Sequence, residues 1–216
     1  SAGGTYSDYS NRAKAVTPAS VVLVNFNYTV DNAPAPWNNI YASPTYPGVF
    51  TGLKNQSGIT TGLTLSLTKI FNGEFNAGFN TNNNSGIVLD VVMQSDFWLD
   101  NTQESQFVLS GLNHSRRYRI GFFGSSAPPW PKGNYTATYT VNDRTVYLNS
   151  WVNSSKIVYI DDIEPDVNGE AKLNFSTTND AQYGFNGAVI IQEYTDDSQG
   201  GTVGNNIVNV PNSGNI

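Results

Sequence analysis

Apolar and polar residues alternate along most of the middle of the chain, with the period of two that is typical of β-strands. The alternation is clearest in LTLSLT (63–68), YTATYTV (135–141) and AKLNFS (171–176), where every second side chain is apolar. VVLVNFNY (21–28) is instead a nearly continuous apolar run, which predicts a strand covered on both faces. Shorter runs predict further strands at 105–110, 117–123, 145–149, 155–161 and 185–193.

Turn residues separate these strands. VNDRT (141–145) and PDVNGE (165–170) contain Asn-Asp and Asn-Gly, which favour tight hairpin turns. Helical periodicity is nearly absent, and LDVVMQSDFW (89–98) predicts one or two helical turns. The pattern therefore predicts an all-β sandwich or jelly roll of about 8–10 antiparallel strands with extended termini.

The chain divides into three parts by composition. Residues 1–19 are predicted to form an N-terminal extension, residues 20–195 the β-sandwich domain, and the Gly/Asn-rich residues 196–216 a linker or tail. The first residue is Ser rather than Met, which favours a processed or trimmed product.

APAPWNNIYASPTYPGVF (33–50) combines four prolines with several aromatic residues. Proline disfavours a helix and the middle of a sheet, so the segment is predicted to be a stiffened loop. Its rings either cover the core or face outward. We expect Trp37 to cap one end of the sandwich, and Tyr41 and Tyr46 to face outward.

Composition favours an exported protein. Charged residues make up 13% of the chain, against about 25% in an average soluble domain. The chain has no Cys and a formal net charge of -6. This acidic balance argues against nucleic acid as a partner. No apolar run approaches the roughly 20 residues of a membrane-spanning helix. The predicted location is extracellular or on a bacterial cell surface.

The sequence offers little for catalysis. Its one histidine, His114, lies between two predicted strands, where we expect a solvated turn residue rather than a base held beside a nucleophile. The chain is therefore predicted not to be an enzyme.

An acidic run from 161 to 170 has two interpretations. Its carboxylates are Asp161, Asp162, Glu164, Asp166 and Glu170. The spacing does not match a complete calcium loop, and the Asn-Gly within it is what a hairpin turn needs, so we favour a turn. The sequence predicts no cofactor, with structural calcium as the alternative.

Aromatic residues beside amides suggest sugar binding, because sugars combine apolar C–H faces with hydroxyl groups. Each candidate indole has packing in the core as its alternative, and Trp151 lies in a further polar segment. Trp130 stands out because prolines flank it on both sides. The predicted carbohydrate-binding residues are Trp130, Trp98, Trp37, Asn38, Asn39, Tyr41, Tyr46 and Asn134.

Several blocks between residues 20 and 194 resemble a galactose-binding-like β-sandwich domain of secreted Bacteroidetes-type multidomain proteins. They include VVLVNFNYTVDNAPAPWNNI, SGITTGLTLSLTKIFNG, FVLSGLNHSRRYRIGFFGSS and YGFNGAVIIQEY. The resemblance implies that Trp37, Asn38 and Asn39 fall on the family's Trp-Asn-Asn and Trp98 on its loop aromatic. SSAPPWPKGN (125–134) departs from the family pattern, which favours a specific role for Trp130.

Two functions are compatible with these observations. The first is a non-catalytic carbohydrate-recognition module of an exported or cell-surface bacterial protein, with a glycan or polysaccharide as partner. The alternative is a structural or adhesive building block of a surface filament, adhesin or phage fibre, which packs against neighbouring domains or subunits. Neither involves nucleic acid or membrane insertion.

Overall fold

A computed structural model of the chain describes residues 18–27, 32–40, 45–128 and 131–195. These residues form an all-β sandwich, as the alternation predicts, with one helical turn, α1 (Asp90–Met93). The predicted tail and nearly all of the predicted N-terminal extension lie outside the described residues, and so do Tyr41 and Trp130.

The first layer is a five-stranded sheet with the order β11-β8-β14-β1-β2. Its pairs are antiparallel except β1–β2, which is parallel, whereas the sequence predicts antiparallel strands throughout. The members of this sheet are β1 (Ser20–Phe26), β2 (Trp37–Ile40), β8 (Arg116–Phe123), β11 (Val158–Ile163) and β14 (Ala188–Thr195).

The second layer is a six-stranded antiparallel sheet with the order β10-β9-β12-β7-β4-β3. The turn predicted at 141–145 joins β9 to β10, and Asn142 adopts a φ of 52° there. The members of this sheet are β3 (Gly48–Phe50), β4 (Thr64–Lys69), β7 (Ser105–Ser110), β9 (Thr136–Val141), β10 (Arg144–Asn149) and β12 (Ala171–Thr177).

A third, three-stranded sheet has the order β13-β6-β5 and contacts β9 and β12 of the six-stranded sheet. Its members are β5 (Gly73–Phe75), β6 (Asp96–Asp100) and β13 (Tyr183–Asn186). In its antiparallel register Trp98 lies opposite both Gly73 and Phe185, and Phe75 lies opposite Asp96. The small sheet therefore brings together side chains from three distant parts of the chain.

Aromatic rings fill the space between the two large sheets. Phe26 stacks on Phe97 and on Phe107, with 5.1 Å between ring centroids in each pair. Phe122 and Tyr139 stack at 4.5 Å. The apolar half of each alternating strand points into this core and the polar half points away from it, as the period of two predicts.

The outer face of the five-stranded sheet is covered as well. Leu23 of β1 and Phe123 of β8 pack there against Val92 and Met93 of α1, and Trp37 joins the same cluster. This covering explains why 21–26 is apolar on both faces, as the continuous run in the sequence predicts.

One prediction about secondary structure is wrong, and one is confirmed. Residues 33–50 are not one loop, because 37–40 form β2 and 48–50 form β3. The proline pattern conceals β2, which is stabilised by pairing with β1 rather than by its own propensity. Residues 89–98 contain a single helical turn and then enter β6.

Candidate functional site

A groove of about 150 Å³ opens on the small sheet. Four of its described lining residues are aromatic, and each strand of the sheet contributes at least one of these rings. Of the described lining residues, Glu74 alone is charged. The lining residues are Glu74, Phe75, Trp98, Tyr183 and Phe185.

Strand register places Trp98 at the centre of this groove. The residue opposite it on β5 is Gly73, and a Cβ there would lie 2.8 Å from Trp98 Nε1. Glycine therefore leaves room for the indole. On the other side Phe185 is 2% exposed and forms the floor, whereas Trp98, Tyr183 and Phe75 are half-buried. The half-buried rings therefore keep accessible surface that a ligand could contact.

The rings meet at steep angles. Trp98 and Tyr183 lie 5.6 Å apart between ring centroids with 86° between their planes. Phe75 and Phe185 lie 4.5 Å apart and are tilted by 48°. The edge-to-face contact of Trp98 with Tyr183 is favourable for the two rings and holds these walls of the groove in place.

Ser125 and Pro131 are both hydrogen-bonded to residues beside the groove. Ser125 N donates a hydrogen bond of 3.1 Å to Asp96 Oδ1, and Asp96 lies opposite Phe75 in the sheet. Tyr135 Oη donates a hydrogen bond of 2.5 Å to the carbonyl oxygen of Pro131. The Tyr135 ring in turn lies 5.7 Å from that of Phe185.

Asp96 is an unusual residue for such a hydrogen bond because its side chain is almost completely buried. It is 1% exposed, and its Oδ2 has no hydrogen-bond partner among the described residues. Burial raises the pKa of the Asp96 carboxyl well above its ordinary value, and the hydrogen bond from Ser125 only partly opposes this. Burial and the neighbouring Asp96 also raise the pKa of Tyr139.

Asp100, at the other end of β6, has the opposite character. Hydrogen bonds from the Thr102 hydroxyl and backbone hold the pKa of the Asp100 carboxyl below its ordinary value. A further hydrogen bond of 3.1 Å comes from Asn72 Nδ2. Asp100 lies opposite Tyr183 in the sheet, so a carboxylate stays ionised near the groove.

The predicted Trp37-Asn38-Asn39 cluster is used within the fold. Trp37 is 6% exposed. Asn38 bridges two segments, since its Nδ2 donates to the Leu23 and Lys54 carbonyls while its Oδ1 accepts from Lys54 N. Asn39 exchanges two hydrogen bonds with the backbone of Ala33. The described geometry therefore gives these three residues positions in packing and bridging.

The remaining predicted site residues that the structure describes, Tyr46 and Asn134, are not among the residues that line the groove. Tyr46 is 71% exposed, as expected for an outward residue. Asn134 accepts hydrogen bonds from the backbone and hydroxyl of Thr136 through its Oδ1. Trp151 is half-buried, 5.8 Å from the Tyr135 ring. Trp130 and Tyr41 lie outside the described residues, so their predicted roles stay predictions.

The local sequence points to Trp98 but not to the residues that line the groove with it. Phe75, Tyr183 and Phe185 come from strands that pair with β6 only through long-range contacts. Tyr183 and Phe185 are two residues apart on one strand, so their side chains lie on the same face of the sheet. This spacing is the one indication of the pair in the sequence.

Arginine side chains from other strands form ion pairs and hydrogen bonds with residues of the acidic run. Arg117 Nη2 lies 2.8 Å from Glu164, and Arg119 Nε lies 2.8 Å from Asp161. Arg144 donates to the backbone carbonyls of Asp161 and Asp162. Asp166 Oδ1 accepts from the backbone N–H groups of Asn168 and Glu170 and so forms the predicted turn.

Metal ligands and a membrane-spanning helix are both absent from the part of the chain that the structure describes. Across its four described ranges, no three His, Cys, Asp or Glu side chains are grouped closely enough to hold a metal ion. Nor does any helix in those ranges have the length and apolar character needed to cross a bilayer. His114 is exposed in the turn before β8.

Comparison with known proteins gives only distant similarity. No family model and no curated protein matches the chain. The ANX2 ectodomain from Arabidopsis thaliana is 9% identical with a TM-score of 0.40, over 63% of this chain and 52% of that one. The ANX1 ectodomain from the same plant is 11% identical with a TM-score of 0.39, over 62% and 50%. The aligned part thus spans about half the length of these ectodomains, and a likeness of this strength carries no argument about function. The galactose-binding-like family assignment stays a prediction.

Proposed function

We propose that this chain is a non-catalytic carbohydrate-recognition module that works outside the cell, on a bacterial surface or in an exported protein. The observation that supports this most is the groove beside Trp98. It combines half-buried aromatic faces with a carboxylate residue, Glu74, at its lining. Aromatic faces stack on the C–H faces of sugars, and a few placed polar groups contact the hydroxyls.

The surrounding structure supports binding rather than simple packing. The floor is formed by the fully buried Phe185, while the walls Trp98 and Tyr183 keep exposed surface. Rigid aromatic anchors that lose little conformational freedom on binding are the side chains that contribute most at recognition sites. These properties support the proposal of a small-ligand site in the groove.

The test is a glycan array followed by calorimetry on the isolated chain. Replacing Trp98 by Ala should weaken the glycan selected on the array by roughly 2 kcal/mol or more. Tyr147→Ala is the matched control, since Tyr147 is 56% exposed on β10, outside the groove. Equal binding by the wild type and both variants would place recognition elsewhere. Hydrolysis of a bound glycan that is lost in His114→Ala would contradict the non-catalytic part.

One observation favours the structural building block as a second candidate. β3 is an edge strand of the six-stranded sheet, and Val49 within it is 67% exposed. Tyr46, two residues before β3, is also exposed. Exposed apolar residues on an edge strand favour pairing with another chain. Polymers that grow with concentration and are lost in Val49→Lys would support this candidate.

A further inference from the structure

The walls of the groove form an inside corner. Trp98 and Tyr183 stand at 86° to each other, and Phe75 is tilted by 48° from the floor ring Phe185. A long or crystalline polysaccharide is best stacked by rings that share one plane, because its sugar faces repeat along a line. A corner contacts the face of one sugar ring with one wall and the edge of the same ring with the other.

The size of the groove agrees with a short ligand. Its volume of about 150 Å³ lies below the range for sites that hold drug-sized molecules, about 300–1,000 Å³. Its described lining comes from three short strands of three to five residues each. A single sugar residue with part of its neighbour is the ligand that such a groove accommodates.

Charge further restricts the ligand. Glu74 lines the groove, and Asp100 lies opposite Tyr183 in the register of the same sheet. None of the described lining residues is Lys or Arg, and the whole chain has a formal net charge of -6. Carboxylates repel carboxylate or sulfate groups on a ligand, and a like-charge contact is costly at a binding site.

We infer that the groove binds one uncharged sugar residue at the end of a glycan chain, and that it disfavours uronic acids and sulfated sugars. This inference rests on the proposed carbohydrate-recognition function. It adds the length and the charge of the ligand, neither of which follows from carbohydrate binding in general.

The experiment is a calorimetric series on the full chain. The probes are the methyl glycosides of glucose, galactose, mannose and N-acetylglucosamine, the oligosaccharides of each sugar from two to six residues, and glucuronic and galacturonic acid. The proteins are the wild type, Trp98→Ala, Glu74→Gln and the control Tyr147→Ala. Glu74→Gln keeps the size of the side chain and removes its charge.

At least one methyl glycoside should bind within about threefold of its oligosaccharides, because the groove contacts one sugar residue fully and its neighbour only in part. The matching uronic acid should bind at least about tenfold more weakly, and Glu74→Gln should reduce that difference. Affinity that rises more than about tenfold with chain length, or uronic acids bound as well as neutral sugars, would overturn the inference while leaving carbohydrate recognition intact. No binding by any probe would overturn both.

Discussion

At the level of single residues, the buried Asp96 carboxyl makes the stability of the fold depend on pH. Its pKa is raised in the folded state, so the folded protein holds this proton at pH values where the unfolded chain, near pKa 3.9, has lost it. Its contribution to stability is therefore present at low pH and is lost as pH rises towards the folded-state pKa.

Asp96→Asn should remove this loss of stability at rising pH, because the amide side chain does not titrate. Denaturant unfolding between pH 4.5 and 8 should show a smaller decline of stability with pH in the variant than in the wild type. Asp90→Asn is the control of opposite sign. Burial alone would raise the pKa of Asp90, but hydrogen bonds from Thr81 and the Asn84 backbone outweigh burial and lower it. The Asp90 contribution is lost only as pH falls below about 4, so Asp90→Asn should follow the slope of the wild-type profile between pH 4.5 and 8. Parallel pH profiles for the wild type and Asp96→Asn would contradict the account.

Asn39 should matter for stability and not for ligand binding. Its Oδ1 accepts from Asn25 Nδ2 and Ala33 N, both at 3.0 Å, and its Nδ2 donates to the Ala33 carbonyl at 2.9 Å. Asn39→Ala leaves these groups unpaired and should lower the free energy of unfolding by about 1–3 kcal/mol. Asn168→Ala, in an exposed turn, should change it by less than about 0.5 kcal/mol. Weaker glycan affinity in a folded Asn39→Ala variant would contradict this prediction and support a binding role for Asn39.

The sequence identified only part of the candidate site, and a comparison of two tryptophans explains why. Trp98 was evident because it is a tryptophan close to Asp96, Asp100 and Asn101. Whether an indole packs or faces a ligand depends on its partners, and Trp37 has the same kind of neighbours yet lies in a core cluster. The difference comes from pairing between strands far apart in the chain, which local composition does not specify.

At the level of elements, the close contact between the end of β8 and strand β13 of the small sheet requires glycine at position 124. A Cβ on Gly124 would lie 1.8 Å from the carbonyl oxygen of Phe185. Gly124→Ala should therefore separate β8 from β13 and lower the free energy of unfolding by about 3 kcal/mol or more. At Gly62 an added Cβ meets nothing within 4 Å, so Gly62→Ala should be neutral or stabilise by up to about 1 kcal/mol. Thermal unfolding of both variants measures the difference in stability. Equal stability of the two would show that the backbone around Gly124 can shift to accept a Cβ at little cost.

Elements with their own periodicity were predictable from the sequence. The alternating runs at 63–68, 135–141 and 171–176 match β4, β9 and β12 to within one residue at each end. β2, β3, β5 and β13 have three or four residues each and were not predicted as separate strands. Strands this short are stabilised by the sheet they join rather than by their own side chains.

At the level of the whole molecule, the two candidate functions predict different behaviour in solution. A recognition module should remain one size as concentration rises, whereas a building block that pairs through β3 should form larger species. Light scattering over a hundredfold range of concentration separates the two. We expect a single species at the mass of one chain, 23.5 kDa, for the wild type and for Val49→Lys. Growth with concentration that Val49→Lys abolishes would favour the building block.

The central claim is that the groove on the small sheet is the ligand site, and NMR of the four tryptophan indoles tests it most directly. Trp98 Nε1 is the indole nitrogen beside Gly73 in the groove, whereas Trp37 is buried in a core cluster. Assignment follows from single Trp→Phe variants, and the ligand is the glycan selected on the array. The account predicts that titration shifts the Trp98 indole N–H signal and leaves that of Trp37 in place. A saturating glycan that leaves the Trp98 signal unmoved would contradict the account.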